Sequence, residues 1–354
     1  MAQPLDLKIP PSSKTVHVRV INTTSRIRNI PANRFFVPEI KGFQYLDCPA
    51  YSFLIEHPSG RKLLFDLGVR KDWENLAPKV ADGVKRWKVT VQKGVREILE
   101  ENGVPGKNIE AVIWSHWHWD HTGDPSTFEK ETALVVGPGF KDALTPGYPA
   151  NKDAVILESD YEGRELREIS FSDCDLTIGR FNAFDYFGDG SFYLLDSPGH
   201  AIGHLSGLAR VSSSPDSFIF MAGDVAHHGG EFRPSQYLPL PSSISPNPFD
   251  LKSIHPCPGA LFEHLLPDGN NEKPFFRVAS DKGAVAYDAD EAQRSVEKMI
   301  QADARNDILV VVAHDAHLLG VLDFFPKYAD GFMEKGWVEK GKWLFLEDLK
   351  EAVN

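Results

Sequence analysis

The sequence predicts a layered α/β fold in which helices lie outside a core of strands. Residues 15–21 alternate polar and apolar side chains, with the period of two that a half-buried strand requires. Later apolar runs such as 308–313 have the length of a buried strand, and the apolar side chains between 292 and 300 recur at helical spacing just before it. Strands that come first and then alternate with helices are typical of a layered architecture.

The other elements follow in chain order. Strands are predicted at 15–21, 51–56, 61–67, 109–115, 133–136, 192–195, 217–222 and 308–313. The turn Pro58-Ser59-Gly60 joins the second and third of these as a hairpin. A helix is predicted over 90–102 from its apolar spacing, and Gly103 follows at the position where helices commonly end.

Two segments, 22–48 and 225–289, are rich in aromatic residues but show no regular period. Nine of the 25 prolines lie between Pro234 and Pro274, and such a segment is too long for a simple connection. Each segment is either a rigid surface excursion or the wall or lid of a pocket. The candidate substrate contacts are Phe35, Phe36, Tyr45 and Tyr237.

Charge and composition limit the partners. The 354 residues carry a net charge of −12 without a basic run, which argues against nucleic-acid binding. No apolar run approaches the roughly 20 residues that a membrane helix needs, and no secretory signal is visible. Cys48, Cys174 and Cys257 are sparse and far apart, as in a reducing compartment. We therefore expect a cytoplasmic protein that acts on a small molecule, and leave a homodimer open.

Four side chains of metal-ligand type lie within six residues directly after the strand predicted at 109–115. They are His116, His118, Asp120 and His121. Imidazole nitrogens and carboxylate oxygens are suitable ligands for zinc and similar divalent ions. Packing gives no reason for four such groups on one turn, so the cluster indicates a metal site.

Three further side chains of ligand type follow buried strands. His200 comes after the strand at 192–195, Asp224 after 217–222, and His314 after 308–313. Sites in α/β proteins gather beyond the carboxyl ends of strands, so these residues can converge with the cluster.

The motif His116-x-His118-x-Asp120-His121, followed by His200, Asp224 and His314, resembles the metallo-β-lactamase superfamily. The resemblance includes the Leu64-Phe65-Asp66-Leu67-Gly68 segment and runs from about residue 15 to the end of the sequence. It implies an αββα sandwich with long loops that form a pocket. It also implies a single domain over residues 1–354, in which about 225–289 is a Pro- and aromatic-rich insertion.

The resemblance also implies a set of roles at the site. His116, His118 and His200 would hold one metal, Asp120, His121 and His314 the other, and Asp224 would bridge both, while Asp66 would orient ligands. We expect two divalent ions and take zinc as the first choice, although manganese, iron and cobalt accept the same ligands.

Within the superfamily the chain is most similar to lactonases, which open cyclic esters such as N-acyl homoserine lactones. The bridging Asp224 argues against a true β-lactamase. Acyl-homoserine lactonases have a tyrosine three residues after that aspartate, where this chain has His227. This difference makes fungal enzymes that open lactams or cyclic carbamates an alternative.

The expected mechanism is attack on the ring carbonyl by a hydroxide that bridges the metals. Asp224 transfers the proton to the leaving group, and His227 contacts the carbonyl. A thioester hydrolase similar to glyoxalase II is the alternative enzyme. A binding protein with a vestigial site is the non-enzymatic alternative, against which the complete ligand set argues.

Overall fold

The computed structural model describes residues 2–172 and 175–353, so Cys174 lies outside the described residues. The strands are β1 (His17–Asn22), β2 (Arg26–Pro31), β3 (Phe36–Val37), β4 (Tyr45–Cys48), β5 (Tyr51–Glu56), β6 (Lys62–Phe65), β7 (Lys88–Thr90), β8 (Ala111–Ile113), β9 (Ala133–Val136), β10 (Leu166–Glu168), β11 (Thr177–Ile178), β12 (Phe181–Asp185), β13 (Phe192–Asp196), β14 (Leu205–Ser213), β15 (Asp216–Gly223), β16 (Ser243–Ile244), β17 (Cys257–Pro258), β18 (Arg277–Val278) and β19 (Ile308–Val312). The α-helices are α1 (Pro78–Val84), α2 (Val95–Glu101), α3 (Trp119–Thr122), α4 (Phe140–Leu144), α5 (Glu158–Tyr161), α6 (Ala289–Asp303), α7 (Trp337–Gly341) and α8 (Lys350–Val353).

The first large sheet has the strand order β1-β5-β6-β8-β9-β10. Strands β5 and β6 form the predicted hairpin, with Phe53 opposite Phe65. Strand β8 runs parallel to β6, with Leu63 opposite Ala111. The carboxyl ends of β6 and β8 therefore lie at the same edge of the sheet.

The second large sheet has the order β11-β12-β13-β14-β15-β19. Strands β13 and β15 are each antiparallel to β14, so they run in the same direction. Strand β19 is parallel to β15, with Phe220 opposite Val310. The carboxyl ends of β13, β15 and β19 therefore share one edge, as the sequence predicted for the residues that follow them.

The two sheets pack face to face, with a helix on each outer face. One hydrophobic cluster joins side chains such as Phe53 of the first sheet and Met221 of the second. A second cluster packs Val296 and Met299 of α6 against the outer face of the second sheet. A third packs Leu99 of α2 against the outer face of the first. The predicted αββα sandwich is confirmed.

The two irregular segments meet in a further hydrophobic cluster beside the sandwich. Phe36 and Phe276 lie there with ring centroids 4.6 Å apart, and Phe345 from the C-terminal region joins them. Strand β18 pairs with β3 and ties 225–289 to 22–48 through backbone hydrogen bonds. Both segments are thus packed against each other along part of their length.

The helix predicted over 90–102 is shorter than expected. Residues 88–90 form β7, which pairs with β2, and α2 begins only at Val95. The Glu97 carboxylate accepts the Gly94 N–H at 2.7 Å and so caps the helix there. Among the described residues, no helix combines the length and the apolar character needed to cross a bilayer.

Candidate metal centre

The carboxyl end of β8 leads directly into the histidine cluster. His116 follows this strand, His118 precedes the first turn of α3, and Asp120 and His121 lie within that turn. His116 and His121 are buried, whereas Asp120 remains partly exposed. A tight strand-to-helix turn thus directs four polar side chains to one edge of the sandwich.

The second sheet contributes three side chains from its strand ends. His200, Asp224 and His314 are all buried. The turn before Asp224 needs Gly223, which has a φ of +54°, because a Cβ there would lie 2.9 Å from Ser115 Cβ and from His204 Nε2. The close approach of the two sheets therefore brings Asp224 against the first cluster.

Asp224 lies at the centre of the assembled group. Its Oδ2 atom is 3.7 Å from His116 Nε2 and 3.4 Å from His200 Nε2. Its Oδ1 atom is 3.2 Å from both His121 Nε2 and His314 Nε2. The two oxygens of one carboxylate therefore face two different pairs of imidazoles.

The ligand-type atoms form two compact groups, within each of which all atoms lie within 4.8 Å of one another. One group is His116, His118, His200 and Asp224, and the other is Asp120, His121 and His314. The structure thus brings together all seven residues that the sequence singled out, with Asp224 in the first of the two groups.

The chemistry of this group fits bound cations. His116 Nε2 and Asp224 Oδ1 are buried without a hydrogen-bond partner among the described residues, which is rare unless another group satisfies them. Burial lowers the pKa of His118 to about 4, so its imidazole is neutral and able to ligate. His121 Nε2 and His314 Nε2 face each other at 3.2 Å, as two ligands of one ion do.

Hydrogen bonds on the far side of the rings fix their orientation. Asp66 Oδ2 accepts from His121 Nδ1 at 2.9 Å, and Asp66 Oδ1 accepts from the Ser115 N–H at 2.6 Å. His314 Nδ1 donates to the Pro49 carbonyl at 2.7 Å. These contacts occupy the Nδ1 atoms and direct the Nε2 atoms of His121 and His314 toward Asp224. Asp66 thus has contacts suited to the orienting role proposed for it.

His227 lies beside the centre rather than in it. Its Nε2 atom is 3.2 Å from Asp224 Oδ2, and its ring stacks parallel to that of His314 with centroids 6.0 Å apart. The ring of Phe35 covers it at 4.4 Å. Glu231 accepts its backbone N–H at 2.6 Å, and burial raises the pKa of Glu231 to about 7.

Sequence reasoning gave no role to several residues that hold the site. Ser115, Pro49 and Glu231 act through the hydrogen bonds described above. His204 is fully buried, and its Nε2 atom accepts the Asp224 N–H at 2.9 Å. The partners of Ser115, Pro49 and His204 lie 20 or more residues away in the chain, where short sequence motifs cannot identify them, whereas Glu231 is only four residues from His227. His204 lies four residues after His200, a spacing that is equally typical of a residue at the site and of a core histidine.

Two clefts reach the centre, and different residues line them. The histidine cleft, of about 440 Å³, is lined by Tyr45, His227, His228, His314, His317 and Asp348 among others. The aromatic cleft, of about 280 Å³, is lined by Arg34, Phe35, Lys79, Arg86, Trp87 and Trp119 and reaches His118, Asp120 and Asp224.

The four candidate substrate contacts differ in position. Tyr45 lines the histidine cleft and is 61% exposed, and Phe35 lines the aromatic cleft. Phe36 is buried in the cluster beside the sandwich. Tyr237 is half-buried in the turn 235–238 and lines neither cleft. The structure thus brings two of the four to a cleft at the centre.

Comparison with known proteins agrees with this geometry. A family model described as the metallo-beta-lactamase superfamily matches residues 45–236. Gamma-lactamase FDB1 of Fusarium pseudograminearum (strain CS3096) is 47% identical over 98% of this chain and 85% of its own length. Metallo-hydrolase mfmC of Annulohypoxylon moriforme is 45% identical over 99% of this chain and 92% of its own length. Three longer Penicillium relatives are 42–43% identical, and the chain spans 39% of their length.

Solved structures show the same fold. A structure described as a mutant of B. thuringiensis AiiA with N-decanoyl-L-homoserine bound at the active site has a TM-score of 0.57. The match covers 90% of this chain and all of that one, at 15% sequence identity. The chain therefore belongs to the metallo-β-lactamase superfamily of metal-dependent hydrolases.

Proposed function

We propose that this protein is a dinuclear metal hydrolase that opens a small cyclic amide or carbamate, with lactones as the second substrate class. The observation that carries the proposal is the position of Asp224, whose two oxygens face separate pairs of imidazoles at 3.2–3.7 Å. A shared carboxylate between two sets of ligands is the arrangement expected for two neighbouring cations.

Each residue has a role in this proposal. One ion would be held by His116, His118 and His200 and the other by Asp120, His121 and His314, and Asp224 would serve both. We propose zinc for both positions because it accepts imidazole and carboxylate ligands and tolerates an open coordination position. Bound there, the ions make a water-derived nucleophile available near neutral pH and polarise the carbonyl under attack.

The protein's own side chains move the proton and orient the substrate. Asp224 is buried at the centre, where its carboxylate can take the proton of the nucleophile and pass it to the ring nitrogen as the C–N bond breaks. His227 lines the histidine cleft, and we propose that its imidazole contacts the substrate carbonyl oxygen there.

The substrate class rests on the clefts and on the relatives. Cavities of about 280 and 440 Å³ suit a small molecule. The relative that is 47% identical over nearly the whole chain is named a gamma-lactamase, which favours a cyclic amide. The likeness to a homoserine-lactone hydrolase structure shows the fold alone, so lactones come second and thioesters remain the alternative chemistry.

We also propose that residues 1–354 form a single domain with an insertion at about 225–289. The inserted segment shares its hydrophobic cluster with 22–48 and with the C-terminal residues from Trp343 onward. A segment that buries its apolar side chains against both of these regions is expected to fold with them rather than alone.

The test is hydrolysis of a panel of substrates by zinc-loaded protein, followed by chromatography of the ring-opened products, because a lactam that opens to a carboxylate and an ammonium group releases no net proton near neutral pH. The panel contains an aromatic γ-lactam, a cyclic carbamate, an aromatic lactone, an acyl homoserine lactone and a glutathione thioester. We expect opening of the lactam or carbamate, and loss of that activity in Asp224→Asn protein that still folds. Cleavage of the thioester alone, or silence on every ring with two equivalents of metal bound, would refute the proposal.

A further inference from the structure

The aromatic cleft combines a basic rim with aromatic walls, in a protein whose net charge is −12. Its cationic side chains are Arg34, Lys79 and Arg86, and its aromatic ones are Phe35, Trp87 and Trp119. The cleft leads to Asp120 and Asp224 of the metal centre. A molecule that occupies the cleft therefore lies against the reacting groups.

The three cations of the cleft have no acidic partner. Within the described parts of the chain, Arg34, Lys79 and Arg86 form no ion pair within 4 Å, whereas Arg61, Lys71 and Arg96 each pair with a glutamate. The nearest acidic side chain on α1, Asp82, is paired with Lys85 at 2.8 Å. The rim of the aromatic cleft therefore carries three unpaired cations that can attract an anion, whereas the carboxylates of Asp120 and Asp224 lie at its inner end.

The position of Arg34 is partly fixed. Its Nε atom donates to the Gly283 carbonyl at 3.3 Å, and its guanidinium lies 5.5 Å from the centre of the Trp87 ring. Trp87 and Trp119 are both half-buried, so their rings are partly open to the cleft. The wall thus offers flat apolar surfaces next to a cation that is already oriented.

We infer that the aromatic cleft binds the part of the substrate that does not react, and that this part is an aromatic ring bearing an anionic group such as a carboxylate. The inference rests on the proposed function for the identity of the bond that is broken. Stacking against indole and phenyl rings holds the aromatic body, and the cations attract the anion. The cleft volume of about 280 Å³ restricts the occupant to one or two fused rings.

Two γ-lactams that differ by one carboxylate provide the matched test. They are isoindolin-1-one and its derivative with a carboxylate on the benzene ring, assayed with the zinc-loaded full chain. We expect kcat/KM to be roughly ten-fold higher for the carboxylated compound, since each exposed charge contact contributes a modest factor. This preference should shrink at high ionic strength, because salt screens exposed charges.

Variants that remove cationic side chains test whether the preference for the carboxylated lactam depends on the aromatic cleft or on charges elsewhere in the protein. Lys79→Gln/Arg86→Gln removes two exposed cations, and we expect it to reduce the preference ratio roughly three- to five-fold, which leaves the contribution of Arg34. Arg34→Gln should also reduce it, and Arg34→Lys should restore part of it. Lys107→Gln is the matched control, because Lys107 is exposed near the start of β8, at the end away from the metal centre. A ratio of the two kcat/KM values near one in the unmodified protein overturns the inference. So does a ratio that Lys79→Gln/Arg86→Gln leaves unchanged.

A binding measurement keeps the inference testable if neither lactam is opened. That outcome, with two equivalents of metal bound, counts against lactam opening and not against the cleft. Calorimetric titration with 2-naphthoate, an aromatic carboxylate that has no hydrolysable bond, then tests binding in the aromatic cleft. Binding that weakens in Lys79→Gln/Arg86→Gln but not in Lys107→Gln supports the cleft assignment. Equal binding to all three proteins, or no binding to any, refutes it.

Discussion

Asp66 illustrates how much of the site depends on one side chain that is not among the proposed ligands. Its carboxylate is buried and accepts hydrogen bonds from the Ser115 N–H and hydroxyl and from His121 Nδ1, at 2.6–2.9 Å. Its backbone has a φ of +59°, which aspartate and asparagine adopt more readily than most residues. The residue therefore combines an unusual backbone position with three converging donors.

Asp66→Asn should weaken metal binding without unfolding the protein. Asparagine accepts the same backbone conformation, but its amide NH2 must face one of the three donors and so leaves His121 less well oriented. We expect metal affinity to fall roughly 10- to 100-fold, measured by competition with a chelating indicator. Asp189→Asn is the control, because Asp189 accepts from His57 at 2.9 Å far from the metal centre. Equal affinity in the Asp66 variant and the control would show that Asp66 does not orient the ligand.

At the scale of the element, the strand ends were the most predictable feature. Short apolar runs marked β8, β13, β15 and β19. The last three run in the same direction in the second sheet, so the residues after them share one edge, where they meet the cluster that follows β8 of the first sheet. The start of α2 was predicted five residues too early, because the apolar spacing of 90–102 continues into β7. Periodicity cannot distinguish a helix turn from a short edge strand, since the pairing partner of β7 lies in β2, more than 50 residues earlier.

Gly199 shows how an element holds a ligand in place. Its φ is +120°, and a Cβ there would lie 2.0 Å from the backbone N of Ala292 in α6. The same helix donates from Ser295 Oγ to the Pro198 carbonyl at 2.7 Å, and the Tyr287 N–H just before it donates to the His200 carbonyl. The start of α6 therefore fixes the turn that carries His200.

Gly199→Ala should separate α6 from this turn. We expect a loss of about 3 kcal/mol in the free energy of unfolding, measured from urea denaturation midpoints, because overpacking adds to backbone strain. Gly188→Ala is the matched control: Gly188 has a φ of +73° with open space around it, so strain alone should cost about 1 kcal/mol. The Gly199 variant should also lose metal affinity, whereas the control should retain it. Equal losses in both variants would mean that α6 does not constrain the turn.

At the scale of the molecule, sequence reasoning could not foresee how the irregular segments are used. Regions 22–48 and 225–289 and the C-terminal residues from Trp343 share one hydrophobic cluster, in which contacts such as Phe36 with Phe276 and Phe275 with Phe345 join positions far apart in the chain. The seven ligand-type residues were found because they lie in short motifs at strand ends. The clefts were not predicted, because Arg34, Trp87 and Trp119 are far apart in the sequence and become neighbours only in the folded protein.

The distribution of the ligand-type residues between the sheets gives the last prediction. His116, His118, Asp120 and His121 follow a strand of the first sheet, whereas His200, Asp224 and His314 follow strands of the second. Each of the two compact groups contains members from both sheets. An ion bound in either group therefore links the sheets directly.

Removal of the metal should lower the thermal stability of the whole molecule rather than of one loop. Free ion at 100 times its dissociation constant stabilises a site by about 2.7 kcal/mol, and a chelator removes this contribution. We expect the unfolding midpoint to fall by several degrees on chelation and to recover when zinc is restored, in differential scanning calorimetry. Asp224→Asn should show a smaller difference between the metal-free and metal-loaded midpoints, because Asp224 faces ligands from both sheets. Identical midpoints with and without zinc, while titration shows that the ion binds, would mean that the metal does not link the sheets in the folded state.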